Sequence, residues 1–312
     1  MIEVSRAYYL DDKSKSEISA QLGISRFKVA RLLDEARASG VVTISVNDDG
    51  VGPDMAEQLK EHLGIRHAIV IETHGDATQA RAQVGRATGA YLQDTLTKGE
   101  LLGLAWGRTL TAMTDDLDRL PAVDSVQLNG VLGYDLPNPV SEIVRTVAMI
   151  TGRPARAIFA PYYIDDARTA AALRRQPEVA AVLAAFDRVT TAVASVGSLT
   201  PRVTRVLDSL PAHVQELLLN SGAQAEFCGI PFDESGQVID PRFLRHCLSI
   251  SVDQLRKVNR VIASAAGSEK ARAMMSVCRS GIINEVIVDA DLAQAILRIP
   301  REPRKKADAA LN

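Results

Sequence analysis

The chain has 312 residues, 46% of them apolar, which is more material than one small core needs, so two domains are expected. A formal charge of −2 excludes a basic field over the whole molecule, and any contact with nucleic acid has to be local. Three scattered cysteines, Cys228, Cys247 and Cys278, fit neither a disulfide framework nor a zinc site, and no run approaches the roughly 20 apolar residues of a membrane span. The expectation is a cytoplasmic protein with no metal or other cofactor and no membrane partner.

Residues 1 to about 40 read as three short helices, and V-V-T-I-S-V from Val41 to Val46 reads as a wing strand beside them. S-K-S-E from Ser14 to Glu17 fits a capping box that starts the second helix. Gly23 stands where a tight helix-to-helix turn needs positive φ, and Ser25 caps a third helix. Ile18, Leu22, Ile24, Val29 and Leu32 fall where a helix-turn-helix buries its apolar side chains, with small Ser19 at the close approach. Ser25, Arg26, Phe27, Lys28 and Arg31 form the reading segment, with Arg26 and Lys28 the better candidates for base edges. Ser14 and Lys15, at the start of helix two, are placed to meet phosphate. The partner implied is a double-stranded DNA operator; a small helical bundle with a solvated basic face is the plain alternative. Asn47 to Pro53 supplies linker chemistry, which sets the domains at 1–52 and 53–312.

Beyond the linker, strand-like runs begin at His67, Leu101, Ser125, Ala155, Thr191, Ala225, Arg260 and Asn284. Amphipathic stretches such as Pro139 to Thr151, Glu178 to Arg188, His213 to Asn220 and Glu269 to Ser280 lie between them. This alternation predicts an α/β fold, a mostly parallel sheet with helices on both faces. G-L-A-W-G-R-T-L from Gly103 leaves a strand and enters a helix, so the amides of Gly107, Arg108 and Thr109 can point at an anion or a vicinal diol, although a plain tight turn would look similar. Lys270, after the last glycine turn, suits the same anion; a solvated helix lysine is the alternative. The basic tail with Arg301, Arg304, Lys305 and Lys306 reads as a solvated end.

The whole chain resembles the SorC family of sugar-responsive transcriptional regulators, of the same type as the DeoR-like repressors. The likeness is carried by Tyr8 to Val42, by G-L-A-W-G-R-T-L, by A-P-Y-Y from Ala160, by F-D-E-S-G from Phe232 and by A-A-G-S-E-K-A from Ala265. It implies a winged helix-turn-helix followed by a Rossmann-like effector domain similar to sugar-phosphate isomerases of the glucosamine-phosphate deaminase type. It further implies that Trp106, Gly107, Arg108, Thr109 and Lys270 hold the phosphate or equivalent end of a sugar, polyol or sugar phosphate. Asn129, Gly130, Tyr162, Phe232 and Asp233 would surround the rest. A homodimer or homotetramer is implied, acting as a repressor of a carbohydrate-catabolism operon. An isomerase or deaminase is the rival, but Asp165, Asp166 and Asp233 have no nearby His in sequence to share base chemistry. A C-terminal domain that only oligomerises is the third reading.

Overall fold

The computed structural model describes residues 1–9, 13–38, 41, 53–133 and 140–301. The chain divides into two compact units, 1–49 and 50–312. The expected wing beyond Val41, the linker up to residue 52 and the tail residues Arg304, Lys305 and Lys306 lie outside the described residues.

In the first unit α1 (Ile2–Tyr9), α2 (Lys15–Leu22) and α3 (Arg26–Ala38) follow one another. The Ser14 hydroxyl accepts from the Glu17 amide while the Glu17 carboxylate accepts from the Ser14 amide, the reciprocal cap foreseen from the sequence. Gly23 closes α2 in the left-handed region at φ 62. The Ser25 hydroxyl then accepts from the Lys28 amide at the start of α3. Val4, Ala7, Ile18, Val29 and Leu33 make the core, with Leu22, Ile24 and Leu32 half-buried against it. Leu33 rather than Leu32 is the deeper residue, because it follows Val29 by four positions on one helical face.

The second unit begins with α4 (Pro53–Leu63), β1 (His67–Ile71), α5 (Ala77–Thr95), β2 (Leu101–Leu104), α6 (Arg108–Asp115) and β3 (Asp124–Gln127). It continues with α7 (Val140–Thr151), β4 (Ala155–Arg156), α8 (Ala167–Arg174), α9 (Pro177–Ala185), β5 (Thr191–Ser198), α10 (Ala212–Asn220), β6 (Ala225–Phe227) and β7 (Ile230–Phe232). It ends with α11 (Val252–Lys257), β8 (Arg260–Ala265), α12 (Ala271–Arg279), β9 (Glu285–Asp289) and α13 (Ala290–Leu297). The main sheet runs β1-β9-β8-β5-β2-β3-β4, and every pairing in it is parallel. Alternation within the strands fills both faces. Ala192, Ala194, Val261, Ala263, Val286 and Val288 meet one layer of helices, whereas Leu102, Leu104, Val193, Ile262 and Ile287 meet α5, α6 and α7.

Sequence order reverses in the middle of the sheet. From β2 the chain steps outward through β3 to β4, then β5 lands on the other side of β2 and β8 and β9 step the opposite way. The crevice beyond the carboxyl ends of β2 and β5 is therefore a topological switch point, where open α/β sheets take ligands. The run from Ala225, expected as one strand, is a hairpin instead: it turns at Cys228 (φ 53) and Gly229 (φ 74), and β6 adds antiparallel to the end of β5.

Helices α5 and α6 approach most closely at Gly85, where a Cβ would sit 2.6 Å from the Thr109 carbonyl and 2.8 Å from the Met113 amide. Backbone cannot yield as a flexible side chain does. Overpacking costs roughly 1–3 kcal/mol, which exceeds the up to about 1 kcal/mol that a helix gains on losing a glycine. Gly85→Ala should therefore lower the denaturant midpoint of the second unit, and an unchanged or raised midpoint would mean that α6 shifts without cost.

Candidate functional site

At the switch point lies a cleft of about 630 Å³ including its open mouth, lined by several separate segments of the chain. The loop after β2 brings Trp106, Gly107, Arg108 and Thr109; the end of β5 brings Ser195 and Gly197; the segment after it brings Thr204 and Arg205; β6 brings Glu226. Arg81, from the second turn of α5, and Lys270, after β8, complete the wall.

Close packing fixes the loop. Gly107 has φ 151, and a Cβ on it would stand 2.4 Å from the Ser195 hydroxyl oxygen. Only glycine fits there. As N-cap of α6 it has no side chain to offer, so no side chain caps that helix. The first N–H groups of a helix have no intrahelical partner, and the dipole makes this end attractive to anions. Thr109, 1% exposed, stands in that first turn. Ser195 Oγ is buried and finds no hydrogen-bond partner among the described residues.

Lys270 is only 6% exposed. Its ammonium has no hydrogen-bond or ion-pair partner among the described residues. Burial, with Arg108 and Arg81 adding repulsion against the pull of Glu269 and Glu226, lowers its pKa to about 8. The turn ahead of it is pinned by Asp289, whose two oxygens accept from the Gly267 amide at 3.1 and 3.2 Å while Oδ1 also caps α13 through Leu292. Opposite, Glu226 accepts from the Gly229 amide at 3.0 Å and from the Thr204 hydroxyl at 3.2 Å. Burial raises its pKa to about 7 despite those bonds and the Lys270 charge. A Cβ on Gly197 would fall 2.2 Å from Glu226 Oε1, so this carboxylate too is seated against bare backbone.

Of the residues expected around a ligand, Trp106, Gly107, Arg108, Thr109 and Lys270 come together in this cleft. Asn129, Gly130, Tyr162, Phe232 and Asp233 do not line it. Asn129 is fully buried, donating to the Cys228 carbonyl and to Ser249, and Gly130 lies flat against Ala160 and Pro161. Phe232 is core. Asp233 closes a turn through Ser235 and Gln237. Tyr162 is one step behind the wall: its ring meets Trp106 edge-on at 4.8 Å and its hydroxyl donates to the Gly229 carbonyl. Asn129, Tyr162 and Phe232 thus support the hairpin and loop on which the cleft is built.

In the first unit the outward side of α3 carries Arg26, Phe27, Lys28 and Arg31, all exposed. Arg31 pairs with Glu35 at 3.4 Å across one helical turn. Ser14 and Ser25 are engaged as caps, and the Lys15 ammonium lies 5.8 Å from the centre of the Tyr8 ring.

A family model described as "Putative sugar-binding domain" matches residues 53–298. The chain is 27% identical over 302 residues to the uncharacterized transcriptional regulator YjhU of Escherichia coli K12, covering 93% of this chain and 92% of that one. It is 23% identical over 308 residues to the sorbitol operon regulator of Klebsiella pneumoniae, covering 96% and 97%. The solved full-length structure of that regulator superposes with a TM-score of 0.82 at 21% identity over 95% of this chain and 97% of the other. The chain belongs to the SorC family of sugar-binding transcriptional regulators.

As a SorC-family regulator the protein is sugar-responsive, and among its described residues no helix is long and apolar enough to cross a membrane. Sequence reading of the site missed Arg81, Ser195, Thr204, Arg205 and Glu226. Glu226 alone gave a signal, an acid inside the apolar run A-E-F-C-G-I. Its ionisation has a readable consequence. A carboxyl that titrates near 7 when folded and near its ordinary value when unfolded binds more protons in the folded chain, so stability falls as pH rises from about 4.5 to about 7. Glu226→Gln should flatten that part of the pH profile in urea unfolding; a variant with the parent's slope would place the titration elsewhere.

Proposed function

We propose that the cleft of residues 53–298 takes a phosphorylated sugar or polyol and that the bound state changes how the helix-turn-helix of residues 1–52 engages its operator, the protein acting as a repressor of a carbohydrate-catabolism operon. The observation that carries the ligand class is Lys270, a largely buried side chain with no hydrogen-bond or ion-pair partner among the described residues, lining the cleft beside an uncapped helix start. A buried cation is costly unless something neutralises it, and a phosphate at this point does so with charge-assisted bonds. Thr109 and the amides of α6 would hold the same group. Ser195 and Glu226, on the far walls, offer polar contacts to sugar hydroxyls.

The names of relatives point the same way, with a sorbitol operon regulator, a deoxyribonucleoside regulator and an erythritol catabolism regulatory protein among them. In the reading lobe, Arg26, Phe27, Lys28 and Arg31 meet bases, while Ser14, Lys15 and Ser25 lie by phosphates. A homodimer or homotetramer would present paired heads to a quasi-palindromic operator.

Differential scanning fluorimetry against sugars, polyols and their phosphates tests the effector class, since a ligand bound only by the folded state raises its stability. Phosphorylated compounds should give the larger shifts, and a panel in which only free sugars act would remove the phosphate. Lys270→Ala and Thr109→Ala should each weaken the best ligand by about 10- to 100-fold in calorimetric titration. For the parent, affinity should fall by about tenfold per pH unit above 8, where the free Lys270 loses its proton, and this slope should vanish in Lys270→Ala.

Glu226, an acid near neutrality in the cleft, also suits the general base of an isomerase. That rival predicts turnover; ligand recovered unchanged after long incubation supports the sensor.

On the DNA side, Arg26→Ala and Lys28→Ala should weaken specific operator binding by roughly 1–3 kcal/mol each in gel-shift titration at fixed salt. Parent-like affinity in both would move the reading surface off α3.

A further inference from the structure

The most exposed large apolar side chain of the described residues is Phe27, at 91%. It lies in the first turn of α3, between Arg26 and Lys28. Its direction is set by the opposite face. Val29, Leu33 and Ala36 are fully buried, and they define the line along which α3 is rooted in the first unit. At about 100° of rotation per residue, Phe27 lies roughly 160° around the helix from Val29. Arg31 follows it one turn later on the same outward stripe, while Arg26 and Lys28 fall to either side. The capped start at Ser25 and the left-handed turn at Gly23 hold this orientation. The crest of the reading helix is therefore a phenyl ring, flanked by cations.

An uncharged ring has nothing to offer a phosphate. It gains only by covering apolar surface, and in the major groove the apolar group that projects from a base edge is the thymine C5-methyl. A protein partner docking here would have to desolvate Arg26, Lys28 and Arg31 along with the ring. DNA instead places phosphates beside those cations while the ring enters the groove. On the reading that α3 docks in the major groove, we propose that Phe27 reads the methyl group of a thymine in each operator half-site. It is a specificity-determining residue whose contact is apolar, distinct from the polar readers beside it.

The test uses the full-length protein and an operator selected by it from a random duplex library. Each thymine of the selected half-site is replaced singly by deoxyuridine, which removes the methyl and nothing else. For the parent, one position should lose affinity by about fourfold, the effect of withdrawing one methyl from burial. In Phe27→Ala the same replacement should have no effect, while Phe27→Leu, still apolar, should keep part of it. Because the side chain is exposed, both variants should melt with the parent.

Two results overturn the proposal: a parent indifferent to every thymine-to-deoxyuridine change, or a thymine effect of undiminished size in Phe27→Ala. If Phe27→Ala alters self-association and leaves thymine discrimination intact, the ring serves a protein contact instead. A failure of the broader reading looks different, for Arg26→Ala and Lys28→Ala would then also leave operator affinity unchanged.

Discussion

The second unit is organised around the contact between Gly107 and Ser195, where two neighbouring parallel strands of opposite onward direction run out side by side. There is no room for a Cβ on Gly107 beside the Ser195 side chain. Because β2 and β5 are held this close, α6 begins at the rim of the crevice with its amides uncapped, and the end of β5 is left free to receive β6. Gly85 repeats the device one layer out, letting α5 lie against the backbone of α6 and bringing Arg81, one turn earlier, into the wall. Bare backbone at three glycines, Gly85, Gly107 and Gly197, thus determines where the charged groups stand.

Those charges are arranged asymmetrically. Lys270 and Glu226 are both buried and both line the cleft, yet no ion pair joins them, and burial moves each pKa toward neutrality. Glu226 is satisfied locally, by an amide and a hydroxyl. Lys270 is not. A charge buried without a partner is costly, so a ligand that brings negative charge to the Lys270 end of the cleft offsets that cost. Asp289, by tying the Gly267 turn to the start of α13, keeps the lysine from withdrawing to solvent.

Much of this architecture was legible in the linear chain. The capping box at Ser14, the left-handed Gly23 and the Ser25 cap are local events within a few residues, and each forms as its residue type requires. The same holds for the alternation of strands and helices beyond residue 53 and for the loop Trp106 to Thr109 entering α6. Segments that bury an apolar face every second or every third and fourth residue announce it in their spacing. The hairpin at Cys228 and Gly229 is not legible in A-E-F-C-G-I, which holds no turn residue except one glycine.

What the sequence by itself determined was the identity of the elements and the placing of glycines and caps, because these depend on contacts within a few residues. Only the tertiary structure decided which strand ends meet. Strand order is a long-range property, so the reversal between β2 and β5 brought Ser195, Gly197 and Glu226 to a loop some 90 to 120 positions earlier in the chain. The same folding left Asn129 and Phe232, which motif reading placed around a ligand, inside the supporting layer, and Asp233 closing a turn away from the cleft. It also turned the crest of α3 toward Phe27, since the direction of a side chain is fixed by whatever core its helix is rooted in.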